Sequence, residues 1–242
     1  SKFNKPPYIN IVKLKPSISW VKSRWRFRNH MLKINEIYAS IQGESSHTGL
    51  PCIFIRLTGC NLRCTWCDTA YAFHKGDDLT VGETIQKVET FSLPLVEITG
   101  GEPLMQEEVY PLMDKLLETG YRVMLETGGA LPIDKVPEKV IKILDIKCPG
   151  SGEDKKNYLK NLKFLAPHDE VKFVLLDRTD YEWSRDLLKK HDLPSSIQVL
   201  FSPVFDKLDL KDLSEWILED HLPVRLQTQL HKVIWNKNAT GV

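Results

Sequence analysis

Short runs of branched and aromatic residues alternate with amphipathic stretches along most of this chain. The runs are typical of buried strands. The stretches between them carry apolar residues at helical spacing, as with Leu112, Leu116 and Leu117. The predicted strands cover 33–38, 53–58, 95–99, 122–126, 140–146, 171–175 and 197–201, and the predicted helices cover 80–91, 106–119, 154–165, 180–191 and 209–220.

This alternation favours an α/β fold with a parallel sheet and right-handed crossovers. The strand–helix units are too few to close a full barrel, so the pattern predicts a partial, TIM-like (β/α)6 barrel. A doubly wound open sheet is the alternative. No repeat, linker or low-complexity tract interrupts 31–242, which predicts one catalytic domain over that range.

Glycines and polar residues recur directly after the predicted strands. Gly59 follows 53–58, Gly100 follows 95–99, and Thr127 follows 122–126. In both parallel architectures, the carboxyl edge of the sheet carries the active site. We therefore expect the functional residues to meet at that edge.

Three of the five cysteines, Cys60, Cys64 and Cys67, lie within eight residues of one another. Three thiolates from one short loop suit a soft metal centre, and they leave one corner of a four-iron cluster open. A closed structural zinc site needs a fourth ligand. A zinc knuckle or simple surface thiols remain the alternatives at this point.

The formal net charge of +1 hides an asymmetry along the chain. Residues 1–30 hold eight Lys or Arg and no acid, so 31–242 holds 25 basic and 32 acidic residues, a net of −7. An acidic body argues against nucleic-acid binding. We interpret 1–30 as a basic extension outside the fold. It is an organelle presequence, a nucleic-acid tail or, as we favour, upstream sequence before a start at Met31.

Two further observations concern the compartment. No apolar run approaches the roughly 20 residues that cross a bilayer, so no membrane span is predicted. Five cysteines without the spacing of a disulfide framework fit a reducing cytoplasm.

Four features of the sequence occur together. The cysteine loop continues as Trp66-Cys67-Asp68-Thr69, and Gly100-Gly101-Glu102-Pro103 ends a strand. Ser40-Ile41-Gln42-Gly43-Glu44 precedes the first barrel strand, and Gln229-Leu230-His231-Lys232 lies near the end. The first two features resemble the radical S-adenosylmethionine (SAM) superfamily. All four together resemble its 7-carboxy-7-deazaguanine synthase family, over about 31–242.

The resemblance implies ring contraction of 6-carboxy-5,6,7,8-tetrahydropterin to 7-carboxy-7-deazaguanine, with loss of ammonia, on the route to queuosine and related 7-deazapurines. The implied cofactors are a [4Fe–4S] cluster, SAM and Mg²⁺. The cluster would cleave SAM to a 5′-deoxyadenosyl radical, so no protein acid or base is implied. The implied partners are a second copy in a homodimer and an electron donor such as flavodoxin or ferredoxin.

Individual roles also follow from the resemblance. Cys60, Cys64 and Cys67 would bind three irons, and Thr69 would bind Mg²⁺. The implied SAM contacts are Trp66, Asp68, Gly101, Glu102, Glu126, Thr127, Lys147, Cys148, Phe201, Ser202, Pro203 and Val204. The implied substrate contacts are Ile41, Gln42, Gly43, Glu44, Arg56, Thr99 and His231.

Simpler structural roles compete with several of these assignments. Arg56 needs an anion, which is the substrate carboxylate or a structural partner such as Glu97. Thr69 is also suited to cap the next turn, and Cys148 to pack as a buried thiol. Two other functions stay open: an activating enzyme that forms a glycyl radical on a partner protein, and a zinc- or cluster-binding module without catalysis.

Overall fold

The computed structural model describes residues 31–236 and 239–242. The basic extension 1–30 lies outside the described residues. The strands are β1 (Met31–Ile41), β2 (Pro51–Leu57), β3 (Asp77–Thr80), β4 (Leu95–Gly100), β5 (Arg122–Thr127), β6 (Ile141–Asp145), β7 (Glu170–Leu175), β8 (Gln198–Pro203) and β9 (Arg225–Leu226). The α-helices are α1 (Val81–Glu89), α2 (Val109–Glu118), α3 (Arg178–His191), α4 (Leu210–Glu219) and α5 (Leu230–Ile234). Short 3-10 turns cover Ala70–Phe73, Pro103–Met105, Pro149–Ser151, Asp154–Lys156 and Leu159–Phe164.

The strands form one sheet in the order β3-β1-β2-β4-β5-β6-β7-β8-β9. The seven strands β2, β4, β5, β6, β7, β8 and β9 pair in parallel, and they stand side by side in the order in which they occur in the chain. This is the wall of an incomplete barrel, and it confirms the predicted α/β class. A doubly wound sheet would reverse its strand order at a switch point. β1 and β3 differ from the prediction because they pair antiparallel, and the short β1–β2 connection leaves no room for a crossover helix.

The two faces of the sheet differ in chemistry. The face covered by helices forms one large apolar core, to which β7 contributes Val171, Phe173 and Leu175. The opposite face holds only a small apolar cluster of Cys52, Phe54, Leu95, Met124 and Ile143. Because strand side chains alternate between faces, the charged residues of the same strands meet on this inner face. The fold thus buries charges inside the partial barrel.

None of the helices in the described part of the chain has the length and apolar character of a membrane span.

The predicted helix over 154–165 is wrong, because this segment forms two separate 3-10 turns. Asn157 donates to the Lys147 carbonyl oxygen at 2.8 Å and accepts from the Lys147 N–H at 2.9 Å. Asn161 bonds the backbone that follows β5 in the same manner. Asparagine side chains that bond distant backbone compete with helix formation. The two asparagines therefore hold the segment across the carboxyl ends of β5 and β6.

The N-terminus of α1 is stabilised by the predicted capping box. The Glu83 N–H donates to Thr80 Oγ1 at 3.2 Å, and Glu83 Oε2 accepts from the Thr80 N–H at 2.8 Å. Thr80→Ala is expected to lower the free energy of unfolding by about 1 kcal/mol, measured by urea denaturation. Thr90→Ala, at the other end of the same helix, is the control and should cost less. Equal losses at the two positions would contradict the capping role.

Candidate active site at the carboxyl edge of the sheet

A cavity of about 350 Å³ opens at the carboxyl edge of the parallel strands. Most of the predicted site residues line it, although they come from distant parts of the chain. They are Ile41, Gln42, Gly43, Glu44, Arg56, Cys60, Cys64, Trp66, Cys67, Asp68, Thr69, Thr99, Gly101, Glu126, Thr127, Lys147, Val204 and His231. The other predicted residues, which do not line it, are Glu102, Cys148, Phe201, Ser202 and Pro203.

The cysteine loop is fixed against the glycine turn that ends β4. The Glu102 N–H donates to the Gly59 carbonyl at 2.7 Å, and the Gly101 N–H donates to the Leu57 carbonyl at 3.0 Å. A Cβ on Gly101 would overlap the Gly59 carbonyl group. Only glycine allows this approach of the two backbones. The Gly-Gly turn therefore holds the cysteine loop in place.

The three loop thiols are free and half-buried, and all of them line the cavity. Burial raises the pKa of Cys60 and of Cys64, while Lys147 acts against this rise at both thiols. Over 31–236 and 239–242, no three His, Cys, Asp or Glu side chains converge on a single metal ion. A zinc site requires such convergence. Three soft thiols that line one cavity fit an iron–sulfur cluster with an open corner.

Glu102 is fully buried behind the wall of the cavity. Its carboxylate accepts from the N–H groups of Leu104 at 3.0 Å and Gly128 at 2.8 Å. It also accepts from the Thr127 hydroxyl at 2.9 Å. These hydrogen bonds give Glu102 a structural role, and its predicted contact with the SAM ammonium group stays a prediction. Glu102 instead ties the Gly-Gly turn to the end of β5.

Four residues at strand ends that were predicted to contact SAM do not line the cavity, so their contact with SAM stays a prediction. Cys148 is fully buried, and its Sγ lies 3.3 Å from Ser184 Oγ on α3, so it is the packed thiol of the structural alternative. Phe201 packs edge-on against Phe173 in the core. Ser202 and Pro203 are buried within β8, and only Val204 beyond them reaches the cavity.

A buried lysine that the sequence analysis missed lies at the centre of the inner face. Lys172 Nζ lies 2.6 Å from Glu44 Oε2 and 3.7 Å from Asp145 Oδ2, and it also pairs with Glu126. Burial alone would lower its pKa, but Glu126 and Glu44 raise the pKa of Lys172 well above its usual value. Lys147 Nζ adds a second cation at 2.8 Å from Asp145. Alternating charges in 170–172, within an apolar strand, were the available signal.

The pKa values of the three glutamates on this inner face are shifted in different directions. Burial would raise the pKa of Glu44, but Lys172 and His231 lower it to about 2. Burial raises the pKa of Glu126, with Lys172 opposing. Burial, together with Glu126 and Glu44, raises the pKa of Glu97 well above its usual value. The cavity thus places Glu44, whose pKa is lowered, close to Glu97 and Glu126, whose pKa values are raised.

The Gln42 side chain holds the turn over 41–44 in place rather than presenting a free amide. Its Nε2 donates to Glu97, and its Oε1 accepts from the Glu44 N–H at 2.8 Å. The side chain is buried although it borders the cavity. Its position therefore fixes Glu44 relative to Glu97.

Arg56 is paired within the protein. Its Nε lies 2.7 Å from Glu36 Oε1, and its Nη2 donates to the Tyr38 hydroxyl at 2.9 Å. The Tyr71 hydroxyl donates to the same Glu36 oxygen at 2.7 Å. The structural partner is therefore Glu36, which sequence analysis missed, and not the suggested Glu97. The guanidinium still borders the cavity.

Thr69 occupies the N-cap position of the turn Ala70–Phe73, but its side chain makes no capping hydrogen bond. Its Oγ1 lies 3.7 Å from Cys67 Sγ, at the edge of the cavity. The capping alternative therefore does not account for this residue.

The C-terminal segment covers one side of the cavity. The Leu230 N–H donates to the Gly43 carbonyl at 2.9 Å, and a Cβ on Gly43 would collide with the His231 ring. Lys232 Nζ lies 2.7 Å from Asp68 Oδ2, so Asp68 has a protein partner besides its predicted SAM contact. Burial lowers the pKa of His231.

Comparison with known proteins agrees with this geometry. Residues 54–148 match the family model of the radical SAM superfamily. The 7-carboxy-7-deazaguanine synthase of Koribacter versatilis is 48% identical over 226 residues, which cover 87% of this chain and 100% of that protein. The 7-carboxy-7-deazaguanine synthase of Chlorobaculum tepidum is 44% identical over 214 residues, which cover 87% of this chain and 97% of that protein. The crystal structure of QueE from Escherichia coli has a TM-score of 0.70 at 23% identity over 83% of this chain and 95% of that one, which supports the fold.

An incomplete barrel with three cysteines in one loop at its carboxyl edge defines a radical SAM enzyme. The identity and coverage of the two synthases narrow the assignment from this superfamily to one family. The chain belongs to the 7-carboxy-7-deazaguanine synthase family.

Proposed function

We propose that this protein converts 6-carboxy-5,6,7,8-tetrahydropterin to 7-carboxy-7-deazaguanine with loss of ammonia, in a SAM- and Mg²⁺-dependent ring contraction. The observation that carries the proposal is the shared cavity. The three cysteines lie on one wall, and the charged groups around Lys172 lie on another. A radical source and a binding site for a polar heterocycle therefore face the same space.

Cys60, Cys64 and Cys67 would hold the [4Fe–4S] cluster, with its fourth iron left for SAM. When bound, the reduced cluster supplies the electron that cleaves SAM to the 5′-deoxyadenosyl radical. The remaining tasks of the protein are to orient both molecules and to keep water out. Trp66 and Val204 border the same cavity and supply apolar surface for that purpose.

The inner face suits the polar edge of a pterin. That edge presents N–H donors and a carbonyl acceptor, so it needs carboxylate acceptors and a proton donor. Glu44 and Glu126 are the carboxylates, both held by Lys172. Glu97 is the candidate for the donor, because burial raises its pKa well above the usual glutamate value. His231, with its pKa lowered by burial, adds an imidazole beside Glu44.

Thr69 and Arg56 would bind the carboxylate end of the substrate. Thr69 Oγ1 is one oxygen ligand, and Mg²⁺ accepts waters and substrate oxygens for the rest of its shell. The described residues offer no complete protein-only metal site, so magnesium and substrate would bind together. Arg56, oriented by Glu36 and Tyr38, would supply a positive charge to the substrate carboxylate.

The proposal includes an external one-electron donor, such as flavodoxin or ferredoxin, and a reducing cytoplasm for the five free thiols. It also includes a homodimer. The exposed apolar side chains near the C-terminus support a second copy as partner. They are Leu226, Val233, Ile234 and Trp235.

One anaerobic incubation tests the proposal. The reconstituted protein is mixed with SAM, dithionite and 6-carboxytetrahydropterin, and the product is detected by mass. We expect 7-carboxy-7-deazaguanine, formed faster when Mg²⁺ is added. Cleavage of SAM with the pterin untouched would refute the proposal and favour the activating-enzyme alternative. Binding of zinc without iron would refute the radical mechanism as a whole.

A further inference from the structure

The segment 153–164 contacts the cysteine loop between its thiols. Glu153 Oε1 accepts from the Arg63 N–H at 2.6 Å. Lys156 Nζ donates to the Asn61 carbonyl at 3.3 Å. Asn61 and Arg63 are two of the three loop residues that lie between Cys60 and Cys64 in the sequence. The outer surface of this segment is therefore protein surface in direct contact with the cysteine loop.

The exposed polar side chains here are mostly cationic. We call them the basic edge: Arg63, Lys155, Lys156, Lys160 and Lys163. The segment also contains two acids. Glu153 is buried and pairs with Lys156 at 2.8 Å, and Asp154 is half-buried. The rest of the chain from residue 31 is acidic on balance, so the basic edge stands out from its surroundings.

Contacts within the fold account for Arg63, Lys156 and Lys160, but not for the other two lysines of the basic edge. Lys155 and Lys163 are exposed and, within the described part of the chain, make no ion pair or hydrogen bond. The asparagines 157 and 161 already hold the segment in place. An exposed tyrosine and an exposed phenylalanine, Tyr158 and Phe164, lie among the lysines. A rigid surface with charges and a few apolar contacts is suited to a transient protein partner.

We propose that the basic edge is the docking surface for a small acidic one-electron carrier protein. This inference rests on the proposed function, because only that function requires an electron from outside. One electron would leave the reduced carrier and enter the oxidised cluster held by the loop, and no bond in this chain changes. Opposite charges would steer the carrier toward this surface, which contacts the loop.

The test compares two electron sources in one holoenzyme. In the variant Lys155→Glu/Lys163→Glu, turnover with a subsaturating acidic flavodoxin should fall by at least about tenfold. Turnover with dithionite, which needs no docking, should stay within about twofold of the parent protein. The dissociation constant of flavodoxin, measured by titration calorimetry at low salt, should rise by at least about tenfold. Added salt should weaken binding to the parent protein more than binding to the variant.

Lys189→Glu/Lys190→Glu is the matched control. Lys189 and Lys190 are exposed and lie in the last turn of α3. A crossover helix runs from the carboxyl edge of the sheet back to the amino edge, so these lysines lie far from the basic edge. Their reversal should leave flavodoxin binding unchanged. Unchanged flavodoxin binding in Lys155→Glu/Lys163→Glu would overturn the docking surface, even if dithionite turnover also fell. Parent protein that fails with dithionite as well would instead overturn the proposed function.

Discussion

Cys64→Ser is expected to abolish ring contraction, with a loss of at least about 1,000-fold in turnover. The structure gives the reason, because the three thiols line one cavity and no other thiol borders it within the described residues. Serine is nearly isosteric, but its hydroxyl is a poor ligand for iron, which prefers the softer thiolate. Cys60→Ser and Cys67→Ser should behave alike. The measurements are iron content after anaerobic reconstitution, the EPR signal of the reduced cluster, and product mass.

Cys148→Ala is the matched control for the three loop variants. This thiol faces Ser184 on α3 and does not line the cavity. Its removal should cost about 1 kcal/mol of stability through a small core void. It should leave iron content and turnover within about twofold of the parent. Loss of the cluster in Cys148→Ala, or retention of it in Cys64→Ser, would show that the ligands are assigned wrongly.

The sequence was most informative where function depends on local spacing. The cysteine loop, the Gly-Gly turn and the capping box at Thr80 are each contiguous, and the structure places the first two against each other. The strand order followed from simple alternation with helices. These features need no knowledge of distant contacts, so residue types and their local spacing were sufficient to predict them.

The failures share one physical cause, which is pairing between distant segments. Lys172 meets Glu44 across 128 positions of sequence, and Glu102 meets Gly128 across 26. The side chain of a strand residue points either into the cavity or into the core, depending on the face of the sheet on which it lies. A shift of one position along the strand moves it to the other face. That explains why the sequence alone did not place the Phe201 side chain in the core. The expected helix over 154–165 failed likewise, because Asn157 and Asn161 bond distant backbone.

Lys172→Met is expected to lower kcat/KM for the pterin by about 100-fold, mostly through KM. It should also lower the free energy of unfolding by about 3 to 5 kcal/mol, because two buried carboxylates lose their cation. SAM cleavage without substrate should persist, since the cysteine loop is untouched. Lys172→Arg keeps the charge and should recover part of the loss. Lys142→Met is the control: it removes an equally buried lysine, paired with Asp169 at 2.8 Å, from outside the cavity.

The pH dependence separates an electrostatic role for Lys172 from simple packing. In the parent protein, Lys172 helps to keep the pKa of Glu44 at about 2. The stability from that pair is therefore complete above the usual glutamate pKa, and it is lost as pH falls toward 2. Without the cation, burial raises the pKa of both Glu44 and Glu126, so they hold protons nearer neutral pH. Turnover of Lys172→Met should then recover as pH rises, while Lys142→Met keeps the parent profile. Two profiles with the same acid limb would show that Lys172 acts only by filling space.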